Sequence, residues 1–306
     1  IRASWRDGIF AANHSLALRG VSTPPMSGAL LTLDGTVRTD SAFENASWQG
    51  DVEASGLRPG KRTKAALAGL AEAGAGTLVE PIVRRVAAAL RSEARGSAFT
   101  ADLTARKRGE GMTVFVSQAQ LRGGSGRRLA SFSQVDASRT GAGPARISGN
   151  FAMGGSGLPR VSGRMESDGA GDLVFRMAMA RYEAGGSAIA IPRLALAQGS
   201  DGAFGFSGEA VVSGALPGGS TRDLQLPLSG RWAPGGRLAL WRECTDIRFA
   251  QLQFADLSLD RQSLTLCPPP GRAIVENGPQ GLRIAAGAPR LALAGMLGGT
   301  PIRLAT

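Results

Sequence analysis

The chain has 306 residues, of which 43% are hydrophobic, so it carries enough apolar material for a large β domain or two domains of average size. Glycine and proline together make up about a fifth of it, which is high for a globular protein but below the level of structureless low complexity. With one histidine, one tyrosine and two cysteines, the composition leaves little material for a metal centre or a Cys/His relay, and the reading is of a non-enzyme without a cofactor.

The net charge of +11 is unevenly placed. Arg58 to Arg128 holds 14 basic and 5 acidic residues, so nearly all of the excess falls in less than a quarter of the chain. No apolar run approaches the length that spans a bilayer as a helix. The opening Ile1-Arg2-Ala3-Ser4-Trp5 matches neither an initiator methionine nor a signal peptide, and we read the chain as a piece of a longer protein.

In chain order, the dominant period is two, the repeat of a strand with one buried face. Leu31, Leu33, Gly35 and Val37 open the series, but a different pattern intervenes between Lys61 and Arg95. There Leu78, Ile82, Val86 and Leu90 recur every four residues while Arg84, Arg91 and Arg95 fall on the other side, which predicts an amphipathic helix. Thr77-Leu78-Val79-Glu80 has the form of a capping box, and Pro81 sits in the first turn, where a missing amide matters least. A shorter helix is predicted from Ala65 to Ala73, broken by Gly74 and Gly76.

Alternation resumes at Phe99 to Ala105, Met112 to Val116 and Ile147 to Met153. It is clearest at Met165, Leu173, Phe175, Met177 and Met179, at Ile189 and Ile191, and over Phe204, Phe206, Gly208, Ala210, Val212, Gly214 and Leu216. Leu224, Leu226, Leu228, then Leu252 to Phe254, Leu282 to Ile284 and Leu291 to Leu297 complete the series. Glycine-rich breaks such as Gly185-Gly186 and Pro234-Gly235-Gly236 separate these runs, so the simplest topology is a long antiparallel meander. An apolar-Ser-Gly triplet recurs at irregular spacing, as in Phe206-Ser207-Gly208 and Leu228-Ser229-Gly230; glycines inside strands favour bulges and bends that let a large sheet curve.

The catalytic motifs are weak. His14 has no partner with a recognisable role, and Gly74-Ala75-Gly76 and Gly169-Ala170-Gly171 lack the third glycine of a dinucleotide fingerprint. Cys244 and Cys267, in segments read as neighbouring strands, are a candidate disulfide that would contribute about 3 kcal/mol in the loop-entropy model. Aromatics do not interleave with the basic clusters, which argues against nucleic acid as a partner. Residues 58–128 are instead a candidate contact for an anionic membrane surface, with a plain solvated face as the alternative.

These features together resemble the YdbH branch of the AsmA/TamB-like proteins of Gram-negative bacteria. The resemblance rests on the Gly-rich alternating strands, on Gly76-Thr77-Leu78-Val79-Glu80-Pro81 with its arginine-bearing continuation, and on Cys244 followed by Leu264-Thr265-Leu266-Cys267-Pro268. It implies a mainly β fold, in which residues 1–60 and 97–306 form a long, strongly curved antiparallel sheet, an open trough interrupted by a helical insertion at 61–96. It also implies a periplasmic bridge that conducts phospholipids, an inner-membrane anchor outside this piece, and an outer-membrane or lipoprotein partner. The residues expected to line the trough are Met165, Phe175, Met177, Met179, Ile189, Ile191, Phe204, Phe206, Val212, Leu224, Leu226 and Leu228. The competing readings are a closed β-sandwich scaffold and a small-acid (dicarboxylate) transport component; for the latter the sequence offers no convergent arginine pocket.

Overall fold

The computed structural model describes all residues except 73–75, 156, 168–171, 200, 279–280 and 306. The glycine break at Gly74 and the Gly169-Ala170-Gly171 stretch therefore lie outside the described residues. The fold is mainly β and antiparallel, as the alternation predicts, with two helices among the described residues. It divides into two units, Ile1–Glu72 with Arg85–Leu173, and Ala73–Arg84 with Val174–Thr306.

The first unit is a meander. Strands β1 (Arg2–Arg6), β2 (Ile9–Ser22), β3 (Met26–Asp40) and β4 (Asn45–Pro59) are followed by helices α1 (Lys61–Glu72) and α2 (Glu80–Glu93). Then come β5 (Ser97–Arg108), β6 (Gly111–Arg122), β7 (Arg128–Thr140), β8 (Arg146–Met153) and β9 (Val161–Ser167). Each strand pairs antiparallel with the next, β4 with β5 across the helical insertion. The ladder bulges at the Asp102/Leu103 step between β5 and β6 and at the Ser133/Asp136 step between β7 and β8, where Gln134 takes φ 51°. An extra residue on one strand bends it and raises its local twist.

Helix α2 begins at Glu80, two residues later than a helix carrying Leu78 requires, and its carboxylate reaches back to the Gly76 amide at 2.8 Å. Negative charge at this end satisfies an orphan N–H and opposes the positive end of the helix dipole. In the first unit, the end of α2 is tied to the β6–β7 turn. Glu93, 7% exposed, accepts the Ser125 hydroxyl at 2.8 Å and the Ser125 amide at 3.2 Å, and its own carbonyl accepts Gly124 N–H at 2.9 Å. Ala87 is wholly buried, and a Cβ on Gly157 would lie 3.2 Å from Ala89. At the start of α1, Gly60 N–H and the Thr63 hydroxyl both donate to the Pro25 carbonyl, at 2.8 and 2.7 Å.

The second unit contains β10 (Leu173–Ala184), β11 (Ser187–Gln198), β12 (Phe204–Leu216) and β13 (Gly219–Ala233), again a meander. Beyond β13 the simple order ends. The C-terminal half of β13 pairs with β14 (Arg237–Leu240), whereas its N-terminal half pairs with β15 (Thr245–Phe254). One branch then continues through β17 (Val275–Gly278) and β18 (Gly281–Ile284). The other runs through β16 (Leu257–Leu266), β19 (Ala292–Leu297) and β20 (Thr300–Ala305).

The fork is made by Trp241 to Cys244, which is a bend and not the strand expected from the sequence. Trp241 takes φ 56°, its indole N–H donates to the Pro227 carbonyl at 2.6 Å, and its backbone joins Ser229 and Ile274. Cys244 and Cys267 are joined by a disulfide beside the Thr245–Leu266 pair, at the open end of the β15–β16 hairpin.

A two-faced sheet as candidate functional site

Because paired residues of an antiparallel ladder share a face, the register says which side chains lie together. Across the first unit, Leu16, Leu33, Val52, Ala101, Ala119, Phe132 and Phe151 form one transverse row. Four residues to one side, beyond a row that holds His14, Gly35 and Gly50, run Ala12, Val37, Trp48, Ala105, Val114, Ala137 and Ile147. On the other side lies Leu18, Leu31, Ala54, Phe99, Leu121, Ala130, Met153 and Val161. The reverse face is polar: Ser15, Asp34, Asp51, Asp102, Gln118, Ser133, Asn150 and Arg164 make up its central row.

Eight strands at about 4.8 Å spacing carry such a row over about 34 Å. This exceeds the roughly 15 Å depth of hydrocarbon in one bilayer leaflet. The apolar face is open in places, since Leu16, Leu18 and Met153 are 44%, 50% and 51% exposed. Small residues let neighbours lie flat on it. A Cβ on Gly35 would sit 3.0 Å from the Trp48 ring, and the bare glycine lets that indole cross β3 and donate to His14 Nε2 at 2.7 Å. Since an indole nitrogen only donates, His14 carries its proton on Nδ1, facing the Leu33 carbonyl at 3.2 Å.

In the second unit, Phe175, Leu196, Phe206, Gly230 and Leu240 form one row, and Met177, Leu194, Gly208 and Leu228 the next. Ile189, Val212 and Leu224 align with Tyr182, while Met179 pairs with Ile191, Ala210 with Leu226, and Phe204 with Trp232. Eleven of the twelve residues expected to line a trough are therefore in this unit, on one side of its sheet. Met165 is in the first unit, opposite Gly149. Val212 is 4% exposed and the other ten residues of the second unit are half-buried. Gly230 has the same use as Gly35, because a Cβ there would lie 2.6 Å from the Phe206 ring. The residues expected to line the trough did not include Leu194, Leu196, Leu238 or Leu240, nor, Met165 apart, the rows of the first unit, although alternation marked several of their strands.

Of the helix residues, Ile82 is 6% exposed, Val86 and Leu90 are half-buried, and Leu78 lies half-buried ahead of the helix. The basic segment 58–128 does not form one patch. Arg58, Lys61, Arg62, Lys64, Arg122, Arg127 and Arg128 sit at the helix-bearing end of the first unit, and Arg106, Lys107 and Arg108 at the opposite strand ends.

On the polar face, Asp34, Asp51 and Asp102 stand opposite one another. Lost hydration and then the charges of Asp102 and Asp34 push Asp51 above the ordinary aspartate range. Asp40 is held below it, mainly by the Asn45 side-chain amide at 2.7 Å, with the Asn45 and Glu44 backbone N–H groups adding to this. Among the described residues, no group of three His, Cys, Asp or Glu side chains could hold a metal, and no helix is long and apolar enough to cross a membrane.

The second unit also carries a cleft of about 790 Å³ lined by Arg231, Arg237, Arg242, Arg272 and Arg283 together with Asp201 and Glu276. This corrects the sequence-based expectation that no arginine pocket is present. Four of these arginines come from β13, β14, β18 and the bend before Cys244, so only the fork brings them together.

A family model described as YdbH-like, intermembrane phospholipid transport protein YdbH, matches residues 2–306. The chain belongs to the YdbH-like family. The family is one of phospholipid transport between membranes, and the two-faced antiparallel sheet is the architecture this chain brings to it. No curated protein and no solved structure matches the chain significantly.

Proposed function

We propose that the apolar face holds phospholipid acyl chains in transit between the inner and outer membranes, and that the chain is a periplasmic section of a bridge anchored elsewhere. The observation that carries this reading is the apolar face itself, which has uninterrupted hydrophobic rows although no large side chain among the described residues is fully buried. A closed sandwich core would bury such residues completely, at interior packing density.

The driving force is non-directional. Each methylene moved from hydrocarbon into water costs about 0.8 kcal/mol, so a chain of about sixteen carbons loses roughly 13 kcal/mol unless another apolar surface replaces the bilayer. A row of leucine, alanine and phenylalanine offers that surface without fixing the tail in one place. Methionine and phenylalanine at 175, 177, 179 and 206 suit guests of varied shape. The polar reverse face keeps the sheet wetted on its other side.

Mass spectrometry of the protein purified without detergent tests the reading. Phospholipid recovered in stoichiometric amount supports it, and a folded, lipid-free preparation that also takes up no lipid from vesicles overturns it in favour of a scaffold.

A further inference from the structure

Arg231, Ala239, Glu276 and Arg283 share one row of the β13–β14–β17–β18 branch. Gly230, Leu240, Val275 and Ile284 occupy the neighbouring row, so Arg231 and Arg283, with Arg237 two residues before Ala239, face away from the apolar side. The charged side of the cleft thus lies on the face opposite that row, although Leu238, paired with Trp232, also lines the cleft. Its charges do not balance: Arg231 pairs with Asp201, while Arg272 and Arg283 share the single Glu276 carboxylate at 3.9 and 3.6 Å. Arg237 and Arg242 have no carboxylate within ion-pair distance among the described residues, which leaves the cleft with a surplus of three positive charges.

The two arginines without a carboxylate partner stand on short, held segments. Arg237 closes the β13–β14 turn opposite Ala233, and Arg242 lies between Trp241, bonded to Pro227, and the bridged Cys244. Like charges gathered this closely destabilise a sheet surface unless an anion joins them. A guanidinium fork offers two parallel N–H groups, the match for two oxygens of a phosphate. The volume is ample for a headgroup-sized ligand.

We infer that this cleft is a phosphate-recognition site, with Arg237 and Arg242 as its principal ligating side chains. The phosphate can come from the headgroup layer of a membrane or from a soluble phosphate ester. The inference does not rest on the acyl-chain reading, and lipid recovery on purification reports on that reading separately.

The test is calorimetric titration of the 306-residue chain with glycerol 3-phosphate at low ionic strength, paired with flotation on phosphatidylglycerol/phosphatidylcholine vesicles and on phosphatidylcholine alone. Saturable binding should weaken about tenfold or more in the R237A/R242A variant. The R127A/R128A control, which removes the same charge from the first unit, should bind like the unaltered chain. If R237A/R242A also abolishes the preference for phosphatidylglycerol vesicles, the site is supported with membrane headgroups as the source. Loss of glycerol 3-phosphate binding without a vesicle effect supports it with a soluble ester. No saturable binding by either probe, equal weakening in both variants, or succinate binding as tightly as the phosphate ester overturns the inference.

Discussion

Trp48 and His14 are two strands apart, yet the indole N–H of one donates to the imidazole of the other at 2.7 Å, across the backbone of Gly35. The bond ties β2 to β4 independently of the ladder. It depends on the absent side chain at position 35, where a Cβ would press on the Trp48 ring and on the Gln49 carbonyl at 2.7 Å.

Gly35→Val should therefore destabilise the first unit by about 2 kcal/mol through overpacking. His14→Ala should cost only about 1 kcal/mol, the worth of the bond. Denaturant melting measures both, and the Trp48 emission should shift to the red in each. Equal stability of Gly35→Val and the parent would contradict the crossing geometry.

Glu93 anchors the end of α2 through Ser125 and is nearly buried. Glu93→Ala leaves two donors unpaired in that turn and should cost about 2 kcal/mol, while Ser125→Ala removes one partner and should cost about 1 kcal/mol. Thermal melting of the single and double variants checks this, and the double should lose less than the two singles summed.

Asp51 is the middle member of three facing aspartates, and its carboxyl is raised in the folded state. The native state then holds this proton more tightly than the unfolded chain does. Stability from this site is accordingly full below the ordinary aspartate pKa and is lost as pH rises through the elevated value. Asp51→Asn should be slightly more stable than the parent at neutral pH, and indistinguishable from it well below pH 4. High salt should shrink the difference, because the site is exposed.

The disulfide closes the β15–β16 hairpin at its open end. Reduction, or Cys267→Ser, should lower stability by about 3 kcal/mol, read as a reductant-sensitive melting temperature. Melting that is indifferent to reductant would mean the bridge is not formed.

Phe206→Asp and Leu226→Asp place a charge on the apolar face at half-buried positions. Both should express and fold, yet recover little phospholipid on purification and fail to support lipid delivery to the outer membrane. Undiminished lipid recovery would count against the role proposed for this face.

Much of the sheet was legible in the residues alone. Alternation at Phe204 to Leu216 and Leu224 to Leu228 marks β12 and β13 directly, because successive side chains of a strand point to opposite faces. Strands β2 and β4 gave no such signal. Small and polar residues occupy many of their inward positions, such as Ala12, His14 and Gly50, where close backbone approach replaces side-chain packing. The helix was readable from its four-residue spacing, though its start was placed two residues early.

Local chemistry, then, was enough to determine that this chain forms long antiparallel strands with one apolar face and a short helical insertion, since periodicity and turn residues act within a few positions. The fork at β13, the crossing of Trp48 over Gly35 and the gathering of five arginines were decided only in three dimensions. Each joins residues far apart in the chain, and register alone, set by bulges and by where each strand ends, determines which of them meet.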